Sequence, residues 1–101
     1  MELKNVAGEK WVVALSGEVD ADNCGAVSEG LLAEKRIAPT LELDVSGLTF
    51  LDSSGISALL QVKSDLQADG HDLKLVSPTA SVRRVLEITG LLGVFGLEES
   101  A

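Results

Sequence analysis

Four consecutive residues, Asp52-Ser53-Ser54-Gly55, combine two hydroxyls with a carboxylate and a glycine just ahead of an apolar run. If that run is a helix, its first N–H groups lack intrahelical partners, and the positive end of the helix dipole points outward there. An anion placed on Ser53 would be stabilised at such a position. The structural alternative is that Asp52 or Ser53 serves as an N-cap, since both residue types lead the N-cap preferences, with Gly55 admitted for close packing.

Other chemistries lack support in the residues. A hydrolytic serine needs an adjacent base, and His71 is the sole histidine, set in the turn-like Gly70-His71-Asp72 and expected to be an exposed loop residue. No Gly-x-Ser-x-Gly elbow surrounds Ser53 or Ser54, so catalysis is not expected. Asp20, Asp44 and Asp52 show no spacing specific to a metal, and Gly90, Gly93 and Gly96 do not form a nucleotide fingerprint. The expectation is therefore no metal and no cofactor.

The elements that must position the tetrad read as an α/β chain. At 101 residues, the length suits a single domain spanning 1–101, and 46 % apolar with 24 % charged residues is ordinary globular usage. Trp11, Phe50 and Phe95 are the only aromatic residues, so the core must be built from aliphatic side chains. Residues 2–6 and 11–16 read as antiparallel strands joined across Gly8. From Asp22 to Ile37, Cys24, Val27, Leu31 and Leu32 line one helical face, with Asp20 or Asp22 as the cap.

Residues 40–45 alternate as a strand expected in the middle of the sheet, and Ser46-Gly47 reads as a turn. A helix follows from Ser54 to Asp69 with Ile56, Leu59, Leu60 and Leu66 on one face, stopped by Gly70. Leu73, Leu75 and Val76 form the next strand. Ser77 and Pro78 suit the N-cap and first position of a third helix ending at Gly90, and Val94 to Leu97 are expected to return as an edge strand.

A net charge of −8, from 16 acidic and 8 basic residues, repels phosphate backbones and anionic membranes, which argues against direct nucleic-acid binding. The Arg83-Arg84 pair reads as a solvated helix face. With one cysteine, Cys24, no internal disulfide can form. The N-terminal residues lack the basic start and apolar run of a secretory signal, and no apolar stretch nears the roughly 20 residues of a membrane span, so a cytoplasmic protein without membrane insertion is expected.

Taken in order, Gly17-Glu18-Val19-Asp20, Leu43-Asp44-Val45-Ser46-Gly47-Leu48, Leu51-Asp52-Ser53-Ser54-Gly55-Ile56 and Ser77-Pro78 through Thr89-Gly90-Leu91 make the chain, over about residues 10 to 97, resemble a free-standing STAS domain. The resemblance implies a mixed sheet of four or five strands with helices packed mainly on one face. It also implies an anti-sigma factor antagonist, which binds an anti-sigma factor with serine kinase activity and so frees a sigma factor. In that family the phosphorylated serine directly follows the aspartate, which maps onto Ser53, with Ser54 in reserve; a serine phosphatase would restore the free form.

The partner surface implied comprises Glu18, Asp20, Asp52, Ser53, Ser54, Gly55 and Ile56, although Asp20 equally suits a helix cap. Small STAS proteins also resemble accessory subunits of lipid-moving ABC transporters, which would bind an ATPase with no need of phosphorylation at Ser53. STAS domains of anion transporters need transmembrane helices, and those of large stress-sensing complexes usually a sensory domain; neither fits this length.

Overall fold

The computed structural model describes residues 2–6, 11–33 and 40–97. Strand β1 (Glu2–Val6) runs antiparallel to β2 (Trp11–Val19), and the turn expected at Gly8 lies outside the described residues. After helix α1 (Cys24–Ala33), strand β3 (Thr40–Leu51) lies parallel to β2; after helix α2 (Ser53–Ala68), strand β4 (Asp72–Val76) lies parallel to β3. Helix α3 (Ala80–Ile88) follows, and the sheet order is β1-β2-β3-β4, so β3 is flanked on both sides.

Alternation sets the core. Trp11, Leu41 and Leu73 are register partners, as are Val13, Leu43 and Leu75, and all six are buried on one face. The next row on the opposite face, Val12, Glu42 and Lys74, is half-buried or exposed. Helix α2 brings Ile56, Leu59, Val62 and Leu66 into the same core, and α1 adds Val27 and Leu31. Each such side chain, fully removed from water, contributes about 1.5–3 kcal/mol. Helix α1, weakened by glycines at 25 and 30, packs on α2 and depends on that burial. Residues 34–37, expected to extend it, lie outside the described residues.

Several elements differ from the sequence expectation. Ser46-Gly47 is no turn: β3 continues to Leu51 through two register shifts, each placing an extra residue on β3 against β2. Such bulges leave the ladder running while bending the strand. Neither Ser77 nor Pro78 starts α3. Thr79 is its N-cap, accepting from the Val82 N–H at 3.3 Å and donating to the Leu48 carbonyl at 3.1 Å, while Ser77 sits at φ 55°. The cap therefore falls to the residue whose hydroxyl can reach both the helix and β3.

The segment 94–97 is not a strand. Phe95, Gly96 and Leu97 donate their N–H groups back to Leu91, Gly93 and Leu92, which removes the donors a ladder would need. One bond, from the Leu75 N–H to the Phe95 carbonyl at 3.0 Å, ties this turn to β4, and Leu92 and Phe95 are buried three residues apart. His71 is likewise not an exposed loop residue. Half-buried, it meets Trp11 edge to face, with centroids 5.7 Å apart and planes at 83°.

Helices α2 and α3 end alike. Gly70 and Gly90 adopt positive φ, their N–H groups bond to Gln67 and Glu87, and the following residues reach back to Leu66 and Leu86. A side chain at either glycine would resist that left-handed conformation. Among the described residues, no helix is long and apolar enough to cross a membrane.

Between α2 and β4, Lys63 bonds the Asp72 carboxylate and the Leu73 carbonyl. The Lys63 bond holds the Asp72 carboxyl below its ordinary range against the opposing effect of burial, aided by the Leu73 N–H. A carboxyl with a lowered folded value contributes stability above about pH 4 and loses it as pH falls through that folded value. Because Asp72 is half exposed, the contribution is small. Lys63→Met should flatten the fall of the urea midpoint between about pH 4 and pH 3, compared with wild type.

Candidate functional site

The start of α2 is set by side-chain chemistry that operates over three residues. Asp52, with extended φ −97° and ψ −177°, is the N-cap, and its Oδ1 accepts from the Gly55 N–H at 2.9 Å while its carbonyl accepts from Ile56 at 3.0 Å. Ser53 and Ser54 therefore hold the first two helical positions, where N–H groups have no intrahelical acceptor. Ser53 is exposed and Ser54 half-buried. No hydrogen bond involves the Ser53 hydroxyl among the described residues, and the dipole favours negative charge beside it.

The N-cap expectation for Asp52 and the acceptor position of Ser53 are thus compatible, because different residues fill them.

Close approach decides the rest. A Cβ on Gly55 would lie 2.6 Å from Leu51 Cδ1, 2.9 Å from Val19 Cγ1 and 3.2 Å from the Val19 carbonyl oxygen. Only glycine lets α2 rest this near the end of β2. The Asp52 N–H also donates to the Val19 carbonyl at 3.3 Å, so Asp20, next along the chain, lies at the same end as Ser53. Glu18 is exposed and paired in register with Phe50, itself three residues before Ser53.

Gly55 and Ile56 face inward: both are buried, Ile56 at 7 % exposure. Expected on a partner surface, they instead pack α2 onto the core. Asp20 caps the turn that leads into α1, as expected: its carboxylate accepts from the Asp22 N–H at 3.0 Å and its carbonyl from Cys24 at 2.9 Å. Asn23 stands where α1 begins, its carbonyl taking the Val27 N–H. Its side chain reaches back, accepting from the Asp20 N–H at 3.0 Å and donating to the Glu18 carbonyl at 2.8 Å. Sequence reading passed over Asn23; its position one residue before the helical run is the signal that could have found it.

Strand β3 is anchored to the same end by Thr49, whose hydroxyl donates to the Gly17 carbonyl at 3.0 Å. The two ends of β2 and β3 and the start of α2 therefore form one bonded unit, with the exposed Ser53 on its outside.

Parallel strands whose helices begin at their C-terminal edge, with an extra antiparallel strand on one side, define a small α/β domain that offers a helix start as its accessible polar feature. The chain belongs to the STAS domain family: the family model described as "Mlab, STAS domain" matches residues 3–98. An anti-sigma F factor antagonist of Lysinibacillus sphaericus is 28 % identical over 92 residues, which covers 89 % of this chain and 79 % of the relative. The unphosphorylated anti-sigma factor antagonist SpoIIAA superposes with a TM-score of 0.69 at 26 % identity, over 99 % of this chain and 87 % of that one. The phosphorylated Bacillus cell fate determinant SpoIIAA has a similar fold, with a TM-score of 0.67 at 24 % identity over 99 % of this chain and 90 % of its own.

Gly55→Ala forces the start of α2 away from Val19, where backbone as well as side chain obstructs it. It should lower stability by about 1–3 kcal/mol, read as a shift in urea midpoint with little change in slope. Asp52→Ala should cost about 0.5–2 kcal/mol through the lost cap, and Asp52→Asn clearly less.

Proposed function

We propose that this chain is an anti-sigma factor antagonist without enzymatic activity of its own. In its unmodified form it binds an anti-sigma factor that is also a serine kinase, releasing a sigma factor. Phosphorylation of Ser53 ends that binding, and a serine phosphatase restores it. The observation that carries this reading is an exposed serine in the first turn of α2, directly after its capping aspartate, in a STAS chain similar to a named antagonist. Two of the relatives compared above are named as antagonists, which favours this reading over a transporter subunit.

In the modification step, the Ser53 oxygen bonds to the γ-phosphorus of ATP as the bond to ADP breaks, and the hydroxyl proton passes to a base of the kinase. The product carries about −1.5 to −2 additional charges and three acceptor oxygens. Asp52 already occupies the Gly55 N–H, so the N–H groups of Ser53 and Ser54 and the helix dipole are left to stabilise the phosphate. The fold is therefore kept. Glu18, Asp20, Asp52, Ser53 and Ser54 form the partner surface, and a partner fitted to a hydroxyl there must desolvate or repel a dianion. The setting is the cytoplasm, where ATP is available and Cys24 stays reduced.

Incubation with the cell's own anti-sigma kinases, each purified, and ATP should add one phosphate, located at Ser53 by mass spectrometry. Ser53→Ala should take up none and still bind. Ser53→Asp and the phosphorylated chain should bind about 30-fold or more weakly, a loss of about 2–5 kcal/mol, with an unchanged circular dichroism spectrum. Undiminished phosphorylation of Ser53→Ala would remove Ser53 from the proposal.

A further inference from the structure

Of the three aromatic residues, Trp11 and Phe95 are buried within the core, whereas Phe50 is 48 % exposed. Its position is set by register. Val19 and Leu51 pair and point into the core, so the preceding pair, Glu18 and Phe50, is turned away from it. Phe50 is also held firmly, because Thr49 beside it bonds to Gly17 and Asp52 beyond it bonds to Val19. On a backbone held in this way, a half-exposed phenyl ring with only two side-chain torsions loses little freedom when a partner covers it.

Ser53 lies three positions after Phe50, a span of at most about 11 Å along the chain. A specific interface covers about 800 Å² on each partner, a patch roughly 30 Å across. A partner seated over Ser53 with such a footprint reaches far enough to cover Phe50. Aromatic side chains in that situation dominate binding energy when they fill a desolvated pocket.

Charge narrows the partner's chemistry. Glu18 lies across from Phe50, Asp52 follows two residues later, and Asp20 and Asp22 occupy the adjoining loop, while residues 17–33 and 40–55 contain no Lys or Arg. A second copy of this chain would oppose acid to acid, which is repulsive. We infer that Phe50 is the apolar anchor of the partner interface and fills an apolar socket bordered by Arg or Lys side chains. This inference rests on the reading of Ser53 as the docking switch and names what the docked surface must look like.

The test compares the full chain with its Phe50→Ala, Phe50→Leu and Ser53→Asp variants, binding each to the purified cognate anti-sigma kinase by calorimetry and by association kinetics at two salt concentrations. Phe50→Ala should weaken Kd at least about 30-fold and Phe50→Leu distinctly less, both with wild-type urea midpoints, because the ring is not part of the core. Association of the wild type should slow steeply from about 50 to about 300 mM salt.

A Phe50→Ala affinity within twofold of wild type, with Ser53→Asp unable to bind, overturns the anchor and leaves the switch standing. The reverse pattern, loss at Phe50 with none at Ser53→Asp, upholds the anchor and removes the switch. Salt-independent association overturns the basic border. No binding by the wild type overturns both.

Discussion

The placement of everything at the accessible end depends on one close contact: the first turn of α2 lies directly against Val19 at the end of β2. Its geometry allows no side chain on residue 55. The Asp52 N–H to Val19 carbonyl bond and the Asp52 cap on Gly55 lock the same few atoms from two directions. Residue 53 is therefore fixed relative to the sheet through backbone bonds, with its side chain exposed. Rigid support of that kind is what a binding surface needs if complementarity is to be reproducible.

Below this end, the core is nearly all aliphatic and takes no part in the chemistry. Rows such as Trp11, Leu41 and Leu73 fill one sheet face, and α1 and α2 close over it. The charged residues remain outside this packing; no buried polar or charged residue occurs among those described. Changing the charge at Ser53 consequently disturbs no buried ionic network, because the nearest constraint is a helix terminus already suited to an anion.

Short-range chemistry was the part legible in the sequence. An aspartate just ahead of an apolar run at helical spacing announces a cap, and alternating Leu41, Leu43 and Val45 announces a strand with one buried face. Long-range pairing was harder to read. Ser46-Gly47 has turn composition, yet partners on β2 keep it extended, and the bulges reset the alternation so that Leu48 and Leu51 also face inward. Residues 94–97 have strand composition, but local donors close a turn before the edge of β4 can claim them. Asn23 is not legible as a cap because its side-chain bonds run backward to Glu18 and Asp20 rather than forward into the helix.

The two extra residues of β3 have a consequence for the modification proposed at Ser53. Had they formed a loop ahead of Asp52, a catalytic groove could have drawn the serine out as an extended strand. Spent inside the ladder, they leave no slack: the chain passes from paired strand into a sixteen-residue helix with one residue between. An enzyme carrying out the proposed modification would therefore have to dock on the intact shape, and a short linear fragment spanning Ser53 would lack the features that make it recognisable.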